Sequence, residues 1–136
     1  MIPRMTERHM TTGFRRREAS EEGRLLELRL GLAAWLGGLG LEPHQADDVM
    51  LATCEAMTNV FEHAYRGGPG EIDVHADLSD GRLTVTVTDW GIWKPEDADD
   101  PTRGRGLILV RGLTDSSDVV RRGDGTTVRM TWVVAP

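Results

Sequence analysis

The sequence predicts a two-layer α/β (α+β) sandwich, with helices gathered on one face of a mixed, mostly antiparallel sheet. Three observations predict it. Leu83, Val85 and Val87 alternate with Thr84, Thr86 and Thr88, the period of a half-buried strand. Two longer segments repeat apolar residues every three or four positions, the period of amphipathic helices. The elements follow in the order β-α-α-β-β-loop-α-β-β, which segregates the helices to one side of the sheet. A length of 136 residues suits one core. Residues 1–10 show no periodicity and read as a flexible N-terminus, leaving 11–136 as a single domain.

Each element has its own signal. Thr11 to Ala19 reads as a strand despite three consecutive arginines. Ser20-Glu21-Glu22 reads as a helix start, with a hydroxyl at the cap and acids at the positive end of the dipole. Leu25, Leu28, Leu32, Trp35, Leu36 and Leu39 form the apolar stripe, and Gly37, Gly38 and Gly40 end it. A second helix starts near Pro43, a residue tolerated in a first turn. Its stripe is Val49, Met50, Thr53, Ala56, Met57, Val60, Phe61 and Ala64, and it stops at Gly67-Gly68-Pro69-Gly70. Glu71 to Leu78 and Arg82 to Asp89 form a hairpin around Asp80-Gly81. Gly91 to Arg103 is a long polar loop with an acidic cluster, of the kind that serves as a lid. Gly106 to Leu113 is a short helix, and Val119 to Arg121 with Thr126 to Val134 make a last hairpin.

Composition narrows the function classes. Acidic residues outnumber basic ones, 22 to 16, for a formal charge of -6. That balance argues against direct binding of nucleic acid or an anionic membrane, which need a positive field. The single Cys54 excludes an internal disulfide framework and a multi-cysteine zinc site. No apolar run approaches the ~20 residues that span a bilayer, and no apolar stretch follows the N-terminal arginines as in a secretory signal. A cytoplasmic protein is expected.

Four segments could carry chemistry. Glu55, Asn59 and His63 recur every four residues and project from one helix face, opposite or flanking the apolar stripe. A carboxylate one turn from a carboxamide can hold a hydrated divalent cation and orient a hydroxyl beside it; the same triplet also suits a solvated face. Thr88-Asp89-Trp90-Gly91 ends a strand with a carboxylate able to accept from an exocyclic amine such as adenine's, or is an ordinary turn. Arg103-Gly104-Arg105-Gly106-Leu107 precedes a helix, where exposed N–H groups and arginines suit a polyphosphate; a flexible hinge reads the same way. Gly125-Thr126-Thr127-Val128 enters the last strand and, in isolation, is a hairpin turn.

In this order and spacing the four segments resemble the N box, G1 box, G2 box and closing Gly-Thr of the GHKL (Bergerat-fold) ATPases. The fold is shared by gyrase, Hsp90, histidine kinases and MutL. More narrowly, Glu-Ala-X-X-Asn-X-X-X-His-Ala-Tyr, Gly-Arg-Gly-Leu-X-Leu-Val before Leu-Thr-Asp, and Gly-Thr-Thr-Val resemble the anti-sigma-factor serine kinases of the RsbW and SpoIIAB type. The resemblance runs from about Phe14 to Val134.

It implies ATP and Mg²⁺ as cofactors. Asn59 matches the magnesium-binding asparagine, and Glu55 the carboxylate that activates the acceptor hydroxyl. Asp89 matches the adenine-reading aspartate, with Gly91 letting the ring approach. Gly104, Arg105, Gly106 and Leu107 match the phosphate site between lid and helix. Thr126 matches the threonine that supports adenine through water, and His63 lies inside the nucleotide box as a supporting residue. Trp93 departs from the pattern, standing where Asp-X-Gly-X-Gly has its second glycine. An indole there would stack on a neighbouring surface or narrow the nucleotide entrance.

Within these 136 residues no helical hairpin bearing a phosphoacceptor histidine and no transducer domain are expected. The resemblance therefore implies a kinase that works alone: it sequesters an alternative sigma factor and phosphorylates a STAS-domain anti-anti-sigma protein. Homodimers are common in such families. Two alternatives stand beside it, a stoichiometric binding regulator with weak or lost catalysis, and a kinase whose STAS target lies outside transcription. Arg15, Arg16 and Arg17 read as a solvated strand edge, or as a surface for an acidic partner.

Overall fold

The computed structural model describes residues 11–66, 68–92 and 105–134. The expectations for residues 1–10, for most of the polar loop including Trp93, and for Gly104 fall outside them. In chain order the elements are β1 (Thr11–Ala19), α1 (Glu22–Gly37), α2 (Pro43–Asn59) with a π-helical turn (Val60–Ala64), β2 (Glu71–Ser79), β3 (Arg82–Asp89), α3 (Arg105–Leu113), β4 (Ser116–Arg122) and β5 (Gly125–Val133).

The strands lie in the order β1-β2-β3-β5-β4, and every neighbouring pair is antiparallel. The mixed sheet expected from the element order is thereby corrected. The connection through α3 does return β4 parallel to β3, but the β4–β5 hairpin places β5 between them, so no parallel pair forms.

Period two sets which residues face the helices. Ile72, Val74, Ala76, Leu83, Val85, Val87, Val128, Met130 and Trp132 are buried and share one core with Leu28, Leu32, Leu36, Val49, Ala56 and Val110. The β2–β3 turn has Asp80 at φ 52° and Gly81 at φ 77°, the doubly positive geometry of a type I′ hairpin. At the same end of the sheet, the Trp132 indole donates to the Leu113 carbonyl at 2.8 Å, tying the end of α3 to β5.

Two further local expectations are corrected. Ser20 does not cap α1; the cap position is Glu21, with no side-chain bond. The Ser20 N–H instead donates to the Gly70 carbonyl at 2.9 Å, which draws the serine into the interior at 2% exposure. Strand β4 begins at Ser116, ahead of the expected Val119. It is an edge strand that buries little, with Val119 and Val120 exposed, so alternation gave no signal there.

The three arginines of β1 are satisfied within the chain. Arg15 pairs with Asp73 at 3.3 Å, Arg16 with Glu18 at 3.8 Å and Arg17 with Glu71 at 2.9 Å. The exposed Arg16–Glu18 and Arg17–Glu71 pairs add little stability, but charges along an edge strand discourage pairing with another sheet.

Leu32 is fully buried at the centre of α1. Leu32→Ala is expected to cost about 2–5 kcal/mol, the sum of lost transfer energy and the cavity left behind. The check is urea unfolding, with a lower midpoint at unchanged slope.

Candidate functional site

The site is built where β3 ends. Asp89 is the last residue of β3 and points inward with the apolar set, at 1% exposure. Its register partner on β5 is Thr126, also buried. Residues directly opposite in a sheet hold their Cβ atoms about 4.5–5.5 Å apart, so the carboxylate and the hydroxyl group stand side by side. Asp89 Oδ1 accepts the N–H of Gly91 at 3.0 Å, closing an Asx turn. A Cβ on Gly91 would collide with the carbonyl of Ala64. The first demand on this glycine is therefore that the turn after β3 can dock, backbone against backbone, on the end of the helix that carries Asn59.

That helix changes character at this point. Asn59 is the last α-helical residue, and the Tyr65 N–H reaches back five residues to the Val60 carbonyl at 3.2 Å. Such wide turns are frequent at functional sites. Asn59 and His63 are both inside, at 5% and 3% exposure, whereas Glu55 is half-exposed. The polar face expected from the spacing is thus mostly interior. The Asn59 carboxamide nitrogen is buried with no hydrogen-bond partner among the described residues. Buried polar atoms of Ser20, Trp35 and Thr53 share that condition. What singles out Asn59 is its place, five residues before the Ala64–Gly91 contact. His63 Nε2 lies 4.0 Å from the Glu62 carboxylate.

The third segment comes in from the side. Helix α3 packs against α2 and begins at Arg105, followed by Gly106. Its first-turn N–H groups have no intrahelical acceptor and sit at the positive end of the dipole. Leu107 is half-buried against the core.

Three residues near Asp89 went unassigned in the sequence. Arg122 donates from Nη2 to the Asp89 carbonyl at 3.0 Å, from Nη1 to Thr127 Oγ1, and from Nε to Asp124 at 3.2 Å. Tyr65 and Arg17 both reach the Asp89–Gly91 turn, as described below. A usable signal existed for Tyr65 alone: it is the single tyrosine of the chain and closes the helix motif.

Among the described residues, no three His, Cys, Asp or Glu side chains converge as metal ligands. A magnesium ion does not need them, because it keeps several waters and takes phosphate oxygens. The buried Asn59 carboxamide can offer its oxygen to such an ion, its unpartnered nitrogen being a donor and no ligand. An inward carboxylate beside a buried hydroxyl fits a purine edge. A groove of about 600 Å³ between α1 and α2, lined by Leu25, Leu26, Arg29, Cys54, Met57 and Phe61 among others, holds none of the expected site residues. Burial pushes the Cys54 thiol up, with Arg29 opposing, so it stays protonated and a poor nucleophile near neutral pH.

The fold and this end of it define a class. Residues 18–132 match the family model of the histidine kinase-like ATPase domain, and the chain belongs to that family. Within it, the chain is of the RsbW type. It is 30% identical to the serine-protein kinase RsbW of Bacillus mycoides, over 76% of this chain and 74% of that one. The same figures hold for the serine-protein kinase RsbW of Bacillus thuringiensis. A crystal structure of the RsbU and RsbW domains of a Mycobacterium tuberculosis protein has the same fold, with a TM-score of 0.74 at 23% identity. The match covers 92% of this chain and 33% of that one, so this chain corresponds to about a third of the longer protein. Among the described residues, no helix is long and apolar enough to cross a membrane.

Proposed function

We propose that the chain is an anti-sigma factor and serine-protein kinase. It binds ATP with Mg²⁺, sequesters an alternative sigma factor, and phosphorylates a serine or threonine of a STAS-domain anti-anti-sigma protein in the cytoplasm. One observation carries this: a buried carboxylate, Asp89, and a buried carboxamide, Asn59, lie on two elements that meet at the Gly91–Ala64 contact. The buried Asn59 amide nitrogen has no partner among the described residues, and Asp89 spends one carboxylate oxygen on the Gly91 N–H, which supports a ligand site at this junction. The name borne by the relatives supports the choice of serine over other acceptors.

Each residue then has a task. Asp89 accepts from the exocyclic amine of adenine, and Thr126 supports the ring through water. Asn59 holds magnesium, with His63 and Leu107 lining the nucleotide. The backbone of Gly104 and Gly106, with Arg105, binds the phosphates at the start of α3. Magnesium, when bound, neutralises charge on the phosphates. Glu55 takes the proton of the incoming hydroxyl as its oxygen bonds the γ-phosphorus and the bond to ADP breaks. Phosphoryl transfer needs chiefly this positioning and charge neutralisation.

The test is incubation with γ-labelled ATP, Mg²⁺ and candidate STAS proteins. Label on a STAS protein, and a sigma factor recovered with the chain from extract, are expected. Tight complexes without label transfer would replace the kinase by a stoichiometric regulator. Asp89→Asn keeps an oxygen for the Gly91 N–H but turns half of the carboxylate into a donor. ATP affinity is expected to fall about 10- to 100-fold, the worth of a hydrogen bond to a charged group. Calorimetry checks it, with the unfolding midpoint unchanged.

A further inference from the structure

We propose that Tyr65 is a positioning residue of the nucleotide site, acting through its hydroxyl on the Asp89–Gly91 turn. The inference rests on the nucleotide-binding role proposed above and adds to it the device that holds the adenine-reading carboxylate in place.

The phenol makes two hydrogen bonds. Its O–H donates to the Glu71 carbonyl at 2.6 Å, and its oxygen accepts the Trp90 N–H at 2.9 Å. The single phenolic proton is committed to Glu71, which leaves a lone pair for Trp90. The next N–H, that of Gly91, goes to Asp89 Oδ1. Both backbone donors of the turn are thus taken by oxygens, one from α2's end and one from Asp89 itself. The ring is seated against Gly70, where any Cβ would collide with it. The wide turn over Val60–Ala64 delivers Tyr65 to this position.

A second tie runs between the same two residues on the side-chain level. The Arg17 guanidinium lies 4.1 Å over the Trp90 ring and pairs with the Glu71 carboxylate. Glu71 begins β2 and neighbours Ile72, which is the register partner of Asp89. Tyr65 therefore links the end of the Asn59 helix to the sheet at the point where Asp89 leaves it. Gly91 on Ala64 makes the same junction by contact alone. Trp90 is 38% exposed, so its N–H can turn to water if the phenol oxygen is removed. The stability cost is then small, and the loss falls on the aim of Asp89.

Tyr65→Phe keeps the ring and deletes the oxygen. In the nucleotide-free protein, the Trp90 amide is expected to lose protection from hydrogen exchange while the β3 amides keep theirs. Affinity for Mg-ATP is expected to fall about 3- to 10-fold, the equivalent of one net hydrogen bond, with GTP affinity unchanged. A general weakening of the fold would lower both nucleotides together, so the ATP-to-GTP ratio separates positioning from structure. Wild-type ATP affinity in Tyr65→Phe, or an equal loss for GTP, overturns this proposal and leaves the nucleotide site standing. If the unaltered chain takes up no adenine nucleotide, the site and this proposal fall together.

Discussion

Asn59→Ala is expected to abolish magnesium-dependent uptake of ATP while leaving the fold as stable as before, or slightly more so. The physical argument has two halves. Asn59 is 5% exposed, and its amide nitrogen has no partner among the described residues. A buried polar group left unsatisfied costs about 1–3 kcal/mol, so deleting it offsets much of the packing lost with the side chain. With nucleotide present the same amide would supply the protein's oxygen to magnesium, and no neighbouring carboxylate cluster stands ready to replace it among the described residues. Two measurements on one variant decide the matter: calorimetry with ATP and Mg²⁺, and urea unfolding without them. Undiminished ATP binding would remove Asn59 from the site. A large drop in stability would make it an ordinary core residue instead.

Glu55→Gln is expected to lower phosphate transfer about 10²- to 10⁴-fold, the usual contribution of a general base, without altering ATP affinity. Glu55 sits one helical turn before Asn59, where side chains meet at about 5–6 Å between Cβ atoms. Their burial differs: Asn59 is inside, and Glu55 is half-exposed. That difference suits the two tasks, because the metal ligand must be shielded while the base must meet a hydroxyl brought in by another protein. Glutamine preserves size and polarity but cannot take the proton. Single-turnover transfer from labelled ATP to a STAS protein reads the rate, and calorimetry reads the affinity. Transfer at the full rate would show that positioning alone drives the reaction and that Glu55 is no base.

Much of the fold was legible because it depends on short-range periods. The stripe of Leu25, Leu28, Leu32 and Leu36 and the alternation of Leu83, Val85 and Val87 hold wherever one face of an element is buried, and all seven are interior. The spacing of Glu55 and Asn59, and the placing of Asp89 at a strand end, follow from the same periods. Other features were silent because their cause lies far along the chain. Ser20 looked like a cap but bonds to Gly70, fifty residues on. The arginines of β1 line a solvated strand edge, as read, but their acidic partners, Asp73 and Glu71 on the neighbouring strand among them, could not be named from the sequence.

The sequence by itself determined the elements, their two-layer arrangement and the residues of the motif, since periodicity and turn chemistry act between neighbours. Only the tertiary structure decided that β5 lies between β3 and β4, that Asn59 is buried, that Tyr65 and Arg17 meet Trp90, and that Arg122 bonds to the Asp89 carbonyl. Strand order, burial and hydrogen bonds across the sheet depend on which distant backbone groups come to face each other. No local pattern encodes that.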